Sequence, residues 1–161
     1  MIKLVKKATP AAIAVLRQAT AICPSRMKVS DGLLPSKAHI HQNPNSDHNS
    51  GLAVDLTHDP KSGIDCTDIF ERLKKDNRVK YLIFKGRIWS QEKGERPYTG
   101  SNPHNKHLHI SIKDNCGNDD SHWFPWLLVK KVEKKAVFKT ADAARNFAMK
   151  LKPLPKKKEN K

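Results

Sequence analysis

The sequence predicts an α+β fold in which a small, mainly antiparallel sheet carries helices packed on one side. Three observations lead there. A helical period follows Thr9-Pro10, period-two alternation occupies Gly51–Thr57 and His107–Ile112, and a run of β-formers at Val79–Phe84 ends in the turn signal Lys85-Gly86.

In chain order, Thr9 and Pro10 make an N-cap and first-turn pair, and Ile13, Leu16 and Ala19 or Thr20 fall on one face, so a helix is predicted from Pro10 to Ile22 and Pro24 ends it. From Ser25 to Ser50 the chain is rich in Ser, Asp, Asn, Gly, Pro and His with little apolar period, which reads as a long ordered loop of the functional kind. Gly51–Thr57 is a strand with Leu52, Val54 and Leu56 on one side and Ala53 and Asp55 on the other. Asp65–Asp76 carries Ile69, Phe70 and Leu73 at helical spacing, and Val79–Phe84 pairs with Arg87–Ser90 as a hairpin. In His107–Ile112, His107, His109 and Ser111 share one face, opposite Leu108, Ile110 and Ile112.

The chain has 161 residues, enough for one ordinary domain with its own core. Residues 1–129 are expected to form it. Residues 130–161 hold twelve Lys or Arg against three acids, so this tail carries nine of the fifteen net positive charges. A helix is expected within it at 140–151, followed by a disordered Pro-Lys end. Such a tail suits an anionic envelope surface. Specific nucleic-acid binding is not expected, because no recognition helix or RNA-binding motif accompanies the charge. Cys23, Cys66 and Cys116 are odd in number and show no C-x-x-C spacing, which excludes a disulfide framework and a Cys-rich zinc finger. The basic start followed by Ala8–Leu16 imitates an export signal, but Arg17 and Gln18 interrupt it, and it is read as a mature helix. No stretch reaches the ~20 apolar residues of a membrane span.

Seven of the eight histidines lie between residues 39 and 109. His48, at the end of the loop, and Asp55, on the strand that follows, converge if the loop folds back over the strand. His107 and His109 stand about 7 Å apart on one strand face and reach one site. Two His and one Asp are a common catalytic zinc set that leaves a fourth position open. Taken alone, an H-x-H pair is more often two half-exposed strand residues. Asp55 weighs against that reading, since a carboxylate inside an apolar strand costs several kcal/mol without a cation or metal beside it. Trp89 and Tyr98 read either as core or as groove-lining aromatics.

Ser46-Asp47-His48-Asn49-Ser50-Gly51-Leu52-Ala53-Val54-Asp55-Leu56 resembles the S-x-H-x-x-G-x-A-x-D-[LI] motif of the D-Ala-D-Ala peptidases, and the later H-x-H completes it. The zinc metallopeptidase group with this motif also holds lysostaphin-type enzymes, murein endopeptidases and the hedgehog signalling domain. Tyr98 to Ser111 is similar to phage and bacterial wall peptidases of the same kind. The resemblance covers residues 25 to 112. It implies a hedgehog-like fold with one zinc ion on the sheet face, held by His48, Asp55 and His109, and a catalytic His107 that is not a ligand. It also implies that Ser46 holds a substrate carboxylate or carbonyl, and that His104 belongs to an H-x-x-H-x-H array like that of penicillin-insensitive murein endopeptidases. Arg26, in the loop before the motif, reads either as a clamp on a substrate carboxylate or as a solvated Arg. Asp31-Gly32 reads as a turn, with Asp31 a possible orienter of a zinc-bound His.

At one position the chain departs from the carboxypeptidase branch: Lys106 stands where that branch has an acidic general base. Proton transfer therefore falls to His107. The expected function is zinc-dependent cleavage of a stem-peptide or cross-link bond in peptidoglycan. The short plan and basic tail suggest a monomeric phage or prophage endolysin, made in the host cytoplasm and acting on the cell wall or periplasm after release. A D,D-carboxypeptidase releasing D-Ala and a non-catalytic zinc- or polyanion-binding protein are the alternatives.

Overall fold

The computed structural model describes residues 7–129. The helix expected at 140–151 and the basic tail lie outside the described residues. Compactness divides the chain into residues 1–124 and 125–161, ahead of the compositional change after Val129. Residues 125–129, the described part of the second unit, are helical.

Helix α1 spans Pro10–Ile22. Thr9 precedes it in extended conformation without capping it. Its amide and hydroxyl both donate instead to the Gly51 carbonyl, at 3.0 and 2.9 Å, which ties the start of α1 to the segment just before the first strand. The buried face is also not the one expected from Ile13 and Leu16, which are half-buried. It is Ala11, Ala14, Val15, Gln18, Ala19 and Ile22. Small side chains let the helix axis approach the sheet closely, and tertiary packing outweighs the bulkier stripe. Buried Gln18 is satisfied by the Asp120 and Ser121 carbonyls and by the Trp123 amide.

The segment read as one long loop contains two short helices. Helix α2 covers Lys37–Gln42, capped by the Ser36 hydroxyl, and a 3-10 turn covers Asp47–Ser50. No residue of α2 is buried, so it left no apolar period to read. Strand β1 is Ala53–Thr57, helix α3 is Cys66–Leu73, β2 is Val79–Phe84, β3 is Arg87–Ser90, β4 is Gly94–Pro97 and β5 is His107–Ile112. Asp65 caps α3 by accepting from the Thr67 amide at 2.9 Å. The strands form one five-stranded sheet, all antiparallel, in the order β1-β5-β2-β3-β4.

The pleat gives this sheet two unlike faces. Val54, Leu56, Leu82, Phe84, Leu108 and Ile110 point to the side where α3 contributes Ile69, Phe70 and Leu73, all of them buried. Each large apolar side chain so covered stabilises the fold by about 1.5–3 kcal/mol. The opposite face carries Asp55, His107 and His109 side by side, with Tyr81 and Ile83 on the next strand. No helix among the described residues is long and apolar enough to cross a membrane.

Candidate metal centre

The open face places Asp55 directly opposite His109 in the β1–β5 register, and Thr57 opposite His107. His48 arrives from the 3-10 turn, whose entry is fixed by the Ser46 hydroxyl accepting from the His48 amide at 3.4 Å. His48 Nε2 lies 3.3 Å from Asp55 Oδ2, and His109 Nδ1 lies 3.0 Å from Asp55 Oδ1. The candidate ligand atoms of His48, Asp55 and His109 all fall within 4.8 Å of one another. These three residues form a group that could hold a metal ion.

The surroundings fit a cation. His48 Nδ1 donates to the Leu33 carbonyl at 3.0 Å, which fixes a proton on that nitrogen and turns Nε2 toward the site, where it would ligate once its own proton is displaced. His109 Nε2 is buried and has no hydrogen-bond partner among the described residues. Burial would raise the Asp55 pKa, but the bonds from His109 and His48 outweigh it and hold the carboxyl far below the usual range. Burial opposes charge on His48 too, and Asp55 overcomes it, raising His48 above 6.5. A divalent ion at this point would displace the proton that His48 shares with Asp55 and balance the buried carboxylate.

Gly32 completes the carboxylate's setting. It is not in a turn, as Asp31-Gly32 suggested, but bridges to β1: the Asp55 amide donates to the Gly32 carbonyl at 2.8 Å and the Gly32 amide to the Asp55 carbonyl at 3.1 Å. A Cβ at Gly32 would stand 2.9 Å from Asp55 Oδ2. Only glycine lets the loop backbone lie this close to the carboxylate.

Around this group is a cleft of about 590 Å³, lined by Ser46, Tyr81, Tyr98, His39, His104 and His107 as well as the three candidate ligands. His107 Nε2 is 3.7 Å from Asp55 Oδ1; burial lowers its pKa, with Asp55 opposing. His104 sits 5.0 Å from the His107 ring and 5.6 Å from the His109 ring, centroid to centroid. It adopts φ +57°, a left-handed conformation unusual for a side chain of this size and held here by two bonds. Its amide donates to Asn102 Oδ1 at 3.0 Å, and its Nδ1 donates to the Asn102 carbonyl at 2.6 Å, so Nε2 is free to accept. Burial, then His109 and His107, push its pKa down to about 4. Ser46 Oγ is 3.2 Å from His39 Nε2 as well as beside His48. Tyr98 lines the cleft, while Trp89 lies half-buried on β3 and does not.

Arg26 is elsewhere. Its side chain is buried and forms a bidentate pair with Asp31, at 2.6 and 3.0 Å, with further bonds to Thr20 and the Met27 carbonyl. The role of substrate clamp is thereby corrected, since every face of the guanidinium fork is engaged and none opens on the cleft. Asp31 likewise orients no histidine. It accepts from the Thr57 amide and hydroxyl at 3.1 and 2.7 Å and so pins the loop to β1. The orienting group is the Leu33 carbonyl, which has no sequence signature. His39 and Tyr81 were also not singled out. Tyr81 stacks on His109 at 5.5 Å and 21°, and an aromatic directly across from the H-x-H strand was the available signal.

The fold and its site define an α+β domain with a two-His, one-Asp candidate metal centre on the open face of an antiparallel sheet. Residues 5–109 match the family model described as VldE, C-terminal domain, and the chain belongs to that family. The match contains every residue of the centre. No curated protein and no solved structure matches the chain.

Proposed function

We propose that this chain is a zinc-dependent peptidase of bacterial peptidoglycan, with a hedgehog-like arrangement of the metal on the sheet face, acting as a phage or prophage endolysin. One observation carries the reading: His48 and Asp55 converge with His109, more than fifty residues further on, in a cleft that also holds His107 and His104, the set expected from the resemblance to D-Ala-D-Ala and murein peptidases. His48, Asp55 and His109 would hold the zinc ion. Bound there, zinc supplies Lewis acidity toward a carbonyl and acidifies water.

The chain's own residues do the rest. His107 stands beside Asp55 without being needed as a ligand and, with its pKa lowered, is a neutral imidazole that takes up and returns a proton at Nε2. His104 presents Nε2 to the same space, fixed by Asn102. Ser46 sits at the cleft wall, able to donate to a substrate carbonyl or carboxylate. Lys106 is exposed, so the acid of the carboxypeptidase branch has no substitute there, and endopeptidase action is favoured. The protein would be made in the host cytoplasm and reach the wall after release, with its basic tail as an envelope-binding segment.

Digestion of purified peptidoglycan with and without chelator, followed by mass spectrometry of the muropeptides, tests this. Chelator-sensitive cleavage within stem peptides or cross-links is expected. Release of D-Ala alone would replace the endopeptidase with a D,D-carboxypeptidase, and untouched peptidoglycan in the presence of zinc would overturn the reading.

A further inference from the structure

The register of the sheet carries the open face beyond the candidate metal centre. Asp55 is opposite His109, His109 opposite Ile83, Ile83 opposite Ile88 and Ile88 opposite Arg96, so one row of side chains crosses all five strands. A second row joins Ser111, Tyr81 and Ser90 in the same way. At the far end of these rows is a groove of about 510 Å³ that shares Tyr81 with the cleft. Its cations are Lys80, Lys93, Arg96 and Lys113, against one carboxylate, Glu92.

A β-bulge between Val79 and Tyr81 places Lys80 at this groove beside Tyr81, although neighbouring strand residues ordinarily point to opposite faces. Lys80 is tied to Asp47 at 2.9 Å. Lys113 donates to the neutral amide of Gln91 at 2.8 Å. Among the described residues none of Lys93, Arg96 and Lys113 has a carboxylate partner. On the other face of the same strands the pattern is reversed: Lys74 and Arg87 are each paired with both Glu71 and Glu95, at 2.6 to 3.2 Å. The described residues pair Lys74 and Arg87 with carboxylates on the helix side and leave Lys93, Arg96 and Lys113 without one beside the cleft.

We infer that this groove is a subsite for an acidic peptide, one that receives a carboxylate of the chain whose bond lies at the metal centre; this rests on the peptidase reading. The spacing gives the position. Three inter-strand steps of ~4.8 Å separate His109 from Arg96, about 14 Å, and an extended peptide advances ~3.4 Å per residue. The carboxylate therefore falls about four residues from the bond held at the metal. A peptide is favoured over a phosphate polymer because the groove is continuous with the cleft through Tyr81, and because Ile88, Ser90 and Gln91 offer it apolar and hydrogen-bonding contacts rather than a further line of cations.

The test measures binding of the full chain, by fluorescence anisotropy, to a labelled stem peptide with free carboxylates and to the same peptide with them amidated. Chelator is present, so a chain that never hydrolyses peptides still reports on the groove. The free-carboxylate peptide should bind about three- to tenfold more tightly, the scale of one or two exposed ion pairs. The Arg96→Glu, Lys113→Glu double variant should lose that preference while its melting temperature and zinc content stay unchanged. Equal affinity of the native chain for the two peptides overturns the inference whatever the variant does. So does a preference that survives in a folded variant. Displacement of the peptide by inorganic polyphosphate at lower charge concentration than by unlabelled peptide also overturns it, assigning the groove to a phosphate polymer.

Discussion

The two faces of one sheet are built from alternate residues of the same strands, yet they obey opposite rules. Leu108 and Ile110 on β5 are fully buried against apolar neighbours, and their only requirement is to fill space. His107 and His109, interleaved with them, are crowded with Asp55, His48 and His104 at distances that leave a lowered or raised pKa on nearly every group. One face lowers the free energy of folding. The other concentrates unfavourable neighbours where a cation would resolve them. A site of this kind stands only because the opposite face is stable enough to hold it.

Adjacent substitutions on β5 separate the two roles. Under the proposed peptidase function, His107→Ala should lower turnover by roughly 10²–10⁴, the range for a lost acid/base group, with zinc content and melting temperature unchanged. Metal loss in that variant would make His107 a ligand. Leu108→Ala, one residue on, should cost about 2–5 kcal/mol in denaturant unfolding and leave the zinc stoichiometry of the folded fraction intact. If Leu108→Ala emptied the centre of an otherwise folded chain, the faces would not be separable.

Between the faces lies the loop that closes on β1. Gly32→Ala should weaken zinc affinity by about 10- to 100-fold, as disturbed outer contacts of metal ligands do, because its Cβ must push Asp55 Oδ2 aside. A competition titration with a chromophoric chelator reads this directly.

The smallest expected effect concerns the same loop's anchor. Burial raises the Asp31 pKa, but Arg26 and Thr57 outweigh it and the folded value lies below the ordinary 3.8. A depressed carboxylate stabilises the fold fully above its unfolded pKa. That contribution is lost as pH falls below 3.8 and through the folded value, so acid melting should be steeper for the native chain than for Asp31→Asn. Identical acid profiles would remove Asp31 from the account.

Much of this was legible in the sequence, for physical reasons that also explain the gaps. The helix at Pro10–Ile22 and the bounds of β2, β3 and β5 follow from periodicity, and spacing allowed His48, Asp55 and the H-x-H pair to meet, while the choice of His109 over His107 came from the resemblance to the D-Ala-D-Ala peptidase motif. Strand β4 did not show itself, because Gly94-Glu95-Arg96-Pro97 is a short edge with charged side chains and no apolar alternation. Arg26 was misplaced because its pairing with Asp31 and the burial of that pair depend on how the loop folds over β1. Leu33 contributes only a carbonyl, and backbone groups leave no trace in composition. Gly32 did leave one: a glycine beside an acid read as a turn, when it was a close approach of backbone to a carboxylate.

Metal analysis of the purified full chain, beside its His48→Ala, His109→Ala double variant, bears most directly on the central claim. One zinc ion per native chain and none in the folded double variant are expected. No stoichiometric divalent metal in the native protein grown and purified with zinc, or undiminished zinc in the variant, would contradict it.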